Sequence, residues 1–288
     1  MSLQTESKRT STDIRIGDQP SNASSRTALM KQQWQRMAEM NPFFGITSWP
    51  EFEDSAQLDT AYFWDIGRIH AHNLLQKVPL RHLNHLSMVE IGCGVGRMTH
   101  FFAECFAQVT AMDISREMIT RARDFWGHLE HVRFIEGNGA DLKPVADSDI
   151  DFVFSFYVLN HVTNPEVVLG YVRETGRVLK DGGHALLHMR VRDLPDWSQA
   201  RLRSKLRRIG RPLSQQLWWN EGIVRREREM KTDLIGHFSE FDAWHGCEVP
   251  WPDLINTLRE SGLDTLWVDI AEMGQTKFVF LVLRKQAA

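Results

Sequence analysis

MVEIGCGVGRMT, Met88 to Thr99, is the stretch whose reading decides the fold. The run from Met88 to Ile91, apolar except for Glu90, has the length and composition of a buried strand. It ends in Gly92, Gly94 and Gly96. A helical pattern starts at once, with Met98, Phe101, Phe102, Cys105 and Phe106 at helical spacing. Glycine lets the chain turn sharply and lets a ligand approach main-chain N–H groups at the start of a helix. The loop therefore reads as the seat of a small polar ligand.

A glycine turn alone is a weak signal, and the next strand strengthens it. Val109 to Asp113, VTAMD, ends in a carboxylate roughly 20 residues beyond the loop, from where an acid reaches ribose hydroxyls. These are the parts of a nucleotide-binding βαβ unit. The dinucleotide fingerprint wants a glycine at position 97, and Arg97 stands there, which counts against NAD.

The spacing of GCGVG after VEI, with Asp113 closing the next strand, closely resembles the first two motifs of class I S-adenosylmethionine-dependent methyltransferases. The resemblance continues through FIEGNGADLKPVADSDIDFVFSFYVLNHV, Phe134 to Val162, and NPEVVLGYVRETGRVLKDGGHALLHM, Asn164 to Met189, in the family's order. It implies a Rossmann-like, doubly wound α/β sheet of seven strands with an antiparallel last strand. It also implies S-adenosylmethionine as cofactor and S-adenosylhomocysteine as product. On the same ground, Gly92, Cys93 and Gly94 pass under the methionine portion, Glu90 fixes the loop or the amino group, and Asp113 takes the ribose. Asp141 and Leu142 flank the adenine, and Ile114, Asn138, Gly139 and Phe156 complete the cofactor set. Asn138 departs from the pattern, standing where the family often has an acid, which moves the expected polar contact to Asp141.

Methyl transfer from a sulfonium requires an acceptor held in line and, where needed, removal of its proton. His161, after the fourth strand, is the candidate base, because ligands of such sheets sit beyond the carboxyl ends of the strands. Tyr157 and Asn160 share that segment. His188 and Arg190, at the end of the fifth strand, are candidates for orienting the acceptor. Trp49 and Tyr62 come from an aromatic stretch before the glycine motif that also holds Trp34, Phe43, Phe44, Phe52, Phe63 and Trp64. Aromatics on a loop such as FFGITSWPEF are less easily explained by helix packing than by a ligand wall.

A chain of 288 residues with 42% hydrophobic content buries a sizeable core, and its net charge of -3 supplies no global basic field for nucleic acid. The three cysteines, Cys93, Cys105 and Cys247, lack CxxC spacing, so neither a disulfide framework nor a metal site is expected. No apolar run reaches membrane-spanning length, and a cytoplasmic protein is expected. The expected organisation is a disordered tail over 1–27, an N-terminal helical cap over 28–80, the cofactor-binding core over 81–191, an inserted cap over 192–250, and a helix with two closing strands over 251–288. The insertion carries ARLRSKLRRIGRP, an amphipathic arginine-rich pattern over 201–211 that fits either a solvated cap or an anionic partner. The expected activity is methyl transfer to an O or N atom of a small molecule. A nucleic-acid methyltransferase and a non-catalytic cofactor-binding module are the alternatives. Against the first, SFYVLNHV lacks the Asn/Asp-Pro-Pro-aromatic motif usual for amino-base methylation.

Overall fold

The apolar strands of the core are covered on both faces, as continuous Val, Ile and Phe runs require. The structure, a computed structural model, describes residues 23–54, 59–195, 238–273 and 276–287. Strand β1 (Ser87–Ile91) lies between β2 (Gln108–Asp113) and β4 (Ile150–Ser155), parallel to both, and β3 (Val132–Glu136) extends the sheet beyond β2. On the other side β5 (Leu179–Arg192) pairs parallel with β4. Then β8 (Thr276–Lys285) runs antiparallel between β5 and β7 (Leu263–Met273). The order is β3-β2-β1-β4-β5-β8-β7, which contains the seven expected strands. An eighth, β6 (Val249–Pro250), pairs with Val191 and Arg192 of β5; two residues are too few to leave a periodic signal.

Alternation along the strands sorts the core into two layers. Met88, Phe152, Phe154, Leu186, Phe280 and Val282 pack with Ala71, Leu74 and Leu75 of α3 (Thr60–Leu75) and with Phe101 and Phe102 of α4 (Thr99–Cys105). Val89, Ile91, Val153, Leu187 and Leu281 pack with Val168 and Val172 of α6 (Pro165–Val178) and with Leu254 and Leu258 of α8 (Trp251–Glu260). Phenylalanines brace the first layer: Phe106 stacks on Phe152 at 5.8 Å, and Phe102 meets Phe154 edge-on at 4.8 Å.

Local chemistry sets the helix starts. Asp59 accepts from the Tyr62 N–H at the head of α3, Ser115 from the Met118 N–H at the head of α5 (Arg116–Trp126), and Asn164 from the Glu166 N–H with Pro165 at the first position of α6. Asn41 caps α2 (Pro42–Thr47) in the same way, so α1 (Ala23–Met40) ends where the Asn41-Pro42 pair predicts. One boundary differs. The tail expected over 1–27 gives way to helix at Ala23, because Met30 and Met37 of α1 are buried in the core and tertiary packing overrides the Ser- and Thr-rich composition. Residues 1–22, the arginine-rich pattern at 201–211 and the turn at 274–275 lie outside the described residues. Among the described residues no helix is long and apolar enough to cross a membrane.

Truncating a fully buried ring of the first layer tests this packing. Phe152→Ala should lower the unfolding free energy by about 3–5 kcal/mol in equilibrium denaturation, because the cavity it leaves lies between two rigid layers.

Candidate active site

At the carboxyl ends of β1, β2, β4 and β5 a cavity of about 240 Å³ opens. The glycine loop forms its floor. Gly92, Gly94 and Gly96 have φ values of 76, 55 and 87°, in the left-handed region that glycine adopts without strain. A Cβ on Gly92 would lie 2.1 Å from Val158, so the loop is pressed against the segment after β4. The Gly92 and Cys93 N–H groups both donate to the Met112 carbonyl, at 2.7 and 3.0 Å.

Asp113 fastens this loop to the second strand. Its Oδ2 accepts from the Gly94 N–H and its Oδ1 from the Ser115 N–H, each at 2.9 Å. Burial raises its pKa, opposed by the N–H groups of Ser115, Gly94 and Ile114, and the carboxylate keeps further acceptor capacity. Glu90 is buried at the end of β1, where Thr99 Oγ1 donates to its Oε2 at 2.6 Å; burial lifts its pKa to about 7. The donor set fits an adenosyl ligand with an amino-acid end. Asp113 offers acceptors for ribose hydroxyls, Met112, Ile114 and Leu142 offer apolar wall for a planar base, and Glu90 offers an acid for an amino group.

Gly139 and Leu142 line the cavity, but Asn138 and Asp141 do not. Asn138 Oδ1 accepts from the Ala140 and Asp141 N–H groups, its Nδ2 donates to Asp141 Oδ1, and Asp141 Oδ2 pairs with Lys143 at 3.0 Å. The polar contact expected from Asp141 is therefore spent inside the loop, whose shape brings Gly139 and Leu142 to the wall.

Beyond β4 the wall becomes aromatic. Phe156, Tyr157, Asn160, His161 and Arg190 line the cavity, and Trp49 faces them from the segment after α2. His161 Nδ1 lies 3.0 Å from the Trp244 carbonyl at the end of α7 (Asp242–His245). A carbonyl only accepts, so Nδ1 carries the proton and Nε2 keeps its lone pair. Trp34 meets the imidazole edge-on at 5.4 Å, and burial with Arg190 nearby lowers its pKa to about 4. Asn160 Oδ1 is buried without a hydrogen-bond partner among the described residues. Arg190 donates to the His245 carbonyl and lies over the Phe278 ring at 5.3 Å.

Two expected acceptor contacts lie elsewhere. Tyr62 is exposed on the outside of α3, stacked on Phe52 at 5.9 Å, because the helical period that turns Phe63, Ile66 and His70 inward turns it outward. His188 is buried behind the wall, parallel to Phe278, and its Nδ1 accepts from the Tyr157 N–H at 3.3 Å. It supports Tyr157, whose φ of 55° is unusual for a tyrosine. The cavity also takes Met30 and Trp34 from α1, His70 from α3, Arg97 from the loop's end and Trp244 from α7. The sequence carried a signal for two of these: Trp34, in the aromatic stretch before the glycine motif, and Arg97, directly after the last loop glycine. Among the described residues no group of three or more His, Cys, Asp or Glu side chains is arranged to hold a metal ion.

The methyltransferase domain family matches residues 89–187, the span that builds this floor and wall. Those residues are a class I S-adenosylmethionine-dependent methyltransferase domain. The domain is similar to a thiol S-methyltransferase of Rattus norvegicus, 34% identical over 122 residues, which are 41% of this chain and 48% of the rat protein. It is also similar to phosphoethanolamine N-methyltransferase 1 of Arabidopsis thaliana, 31% identical over 100 residues, 34% of this chain and 20% of that one. The chain thus spans under half the length of these curated relatives. Among solved structures, a geranyl diphosphate methyltransferase aligns with a TM-score of 0.54 over 90% of this chain and 99% of its own, at 15% identity, a likeness of fold.

The buried titratable groups of the methyltransferase domain predict a pH signature. His161 and His188 are held at about 4 and about 3, below their ordinary 6.5. The unfolded chain takes up each proton as pH falls through 6.5 and the folded chain does not, so each histidine removes stability from pH 6.5 downward, by about 1.4 kcal/mol per pH unit at most. Glu90 acts oppositely: held at about 7 against 4.5, it removes stability as pH rises between those values. His161→Asn isolates one histidine. In urea denaturation its stability relative to the unsubstituted chain should rise as pH falls from about 6.5 to about 4.5; a difference independent of pH would contradict the assignment.

Proposed function

We propose that the protein transfers a methyl group from S-adenosylmethionine to an O or N atom of a small-molecule acceptor, with His161 taking the acceptor's proton. The observation that carries this reading is that one cavity is lined both by the ribose-competent carboxylate Asp113 and by His161 with an open Nε2. S-adenosylmethionine supplies, when bound, a methyl group already activated on a sulfonium. The residues of the chain then have to place the acceptor and move a proton. Asn160 Oδ1 and His161 Nε2 are both acceptors, so they select a group that brings its own O–H or N–H. A hydroxyl that gains a methyl group becomes far more acidic than an imidazolium held at about 4, so His161 removes its proton despite weakened basicity.

The acceptors named for the two relatives, a thiol and a phosphoethanolamine nitrogen, differ, so the acceptor class is argued from the cavity. The wall formed by Trp34, Trp49, Tyr157 and Trp244 favours a compact acceptor with an apolar or planar part, and α1, α2 and α7 supply the cover that excludes water. His161→Ala should lower turnover about 10² to 10⁴-fold with affinity for S-adenosylmethionine nearly unchanged. The measurement is release of S-adenosylhomocysteine across a panel of small hydroxyl, amine and thiol compounds, with duplex DNA and structured RNA alongside. Turnover on nucleic acid alone would overturn the small-molecule reading.

A further inference from the structure

Among the described residues two acids line the cavity, Glu90 and Asp113, and both belong to the glycine-loop floor. Beyond β4 the described lining is aromatic or neutral, and Arg190 is the one formal charge in it. His161 stays neutral beside this cation, because burial and then Arg190 hold its pKa at about 4. A cation set among low-dielectric aromatic walls gives that half of the cavity a positive potential. An incoming anion meets attraction there, and an incoming cation repulsion.

The end of α7 fixes this cation and the candidate base side by side. Arg190 Nη1 donates to the His245 carbonyl and His161 Nδ1 to the Trp244 carbonyl, at 3.0 Å for the second, so two consecutive carbonyls set both groups. The Phe278 ring, 5.3 Å from the Arg190 central carbon, backs the guanidinium. Gly246 closes the helix against the turn that carries Asn160 and His161. Its φ is 61°, and a Cβ on it would lie 2.0 Å from the Asn160 carbonyl oxygen, so the contact is backbone on backbone. A guanidinium placed this rigidly presents a planar fork of N–H groups that matches the oxygens of a carboxylate or phosphate.

We infer that the acceptor is a small hydroxy- or amino-substituted acid whose carboxylate or phosphate group binds Arg190 while its O–H or N–H faces His161; this rests on reading His161 as the base of a methyl transfer. Arg190 is then a binding residue that selects acceptors by the sign of their charge. An anionic compound is favoured over its neutral amide, and a cationic analogue of the same shape is disfavoured further.

Release of S-adenosylhomocysteine by the full chain tests this with matched probes: the positional isomers of hydroxybenzoate, hydroxyphenyl phosphate, hydroxybenzamide and hydroxybenzylamine, and aminobenzoate against aminobenzamide. Either the carboxylates or the phosphates should exceed the matched amides in kcat/KM at least about tenfold, with the benzylamines lowest, and mass spectrometry should place the methyl group on the hydroxyl or amine. Arg190→Met should cut the acid-to-amide ratio at least about tenfold, while calorimetry shows S-adenosylhomocysteine affinity within about twofold and so reports that the variant is folded. Arg190→Lys, which keeps the charge without the fork, should fall between. Preference for the amide or amine, an acid-to-amide ratio unchanged in Arg190→Met, or a methyl ester as product would each overturn the inference. Turnover confined to neutral or cationic small molecules would do so while the methyl-transfer reading stands. Absence of S-adenosylhomocysteine release with every small molecule would overturn both.

Discussion

The Asp113 carboxylate sits between the Gly94 and Ser115 N–H groups and so joins three things at one point: the glycine loop, the end of β2 and the cap of α5. Main-chain N–H groups turned toward a buried carboxylate are charge-assisted donors, stronger than neutral pairs. The loop glycines make the arrangement possible because three left-handed residues in five bring Gly94 back toward β2. That junction sets the rest of the site. Val158 is fixed against Gly92, which determines the path of the segment carrying Asn160 and His161, and Arg97 emerges from the loop under α3.

The second half of the site is built on cover. Elements outside the matched domain, α1, α2, α3 and α7, bring aromatic rings over the carboxyl edge of the sheet, and their packing controls the electrostatics there. Burial holds His161, His188 and His70 neutral and lifts Glu90 and Asp113, so groups charged in water have their charges weakened or displaced together. Arg97 loses some basicity, to about 10, and stays a cation. The cavity therefore keeps a fixed positive charge among histidines that do not titrate near neutral pH.

Much of this was legible in the sequence, and the exceptions have physical reasons. The strand, glycine turn and helix at Met88 to Thr99 were readable because local rules act alone there: apolar period and glycine. The starts of α3 and α6 are set as locally, by the caps Asp59 and Asn164 with Pro165 behind the second. Asp141 misled because a carboxylate's partner is decided by the loop's closure, here on Asn138 and Lys143. Tyr62 misled because an aromatic count carries no phase, and the phase of α3 turns it outward. His188 shares a face of β5 with Arg190, but its ring stacks on Phe278 behind the wall, while Arg190, two residues nearer the carboxyl end, lies over the same ring and lines the cavity. Arg97 was visible only as a missing glycine; its value as a buried cation depends on α3, which is distant in sequence.

The central claim is that the Asp113 junction holds a nucleoside, and a single titration addresses it. Binding of S-adenosylhomocysteine to the unsubstituted chain and to Asp113→Ala, by calorimetry with NAD as the competing ligand, should show saturable binding that the substitution weakens by about 1–3 kcal/mol, the scale for hydrogen bonds to a charged group. Binding of NAD without S-adenosylhomocysteine, or S-adenosylhomocysteine affinity untouched by Asp113→Ala, would contradict the account.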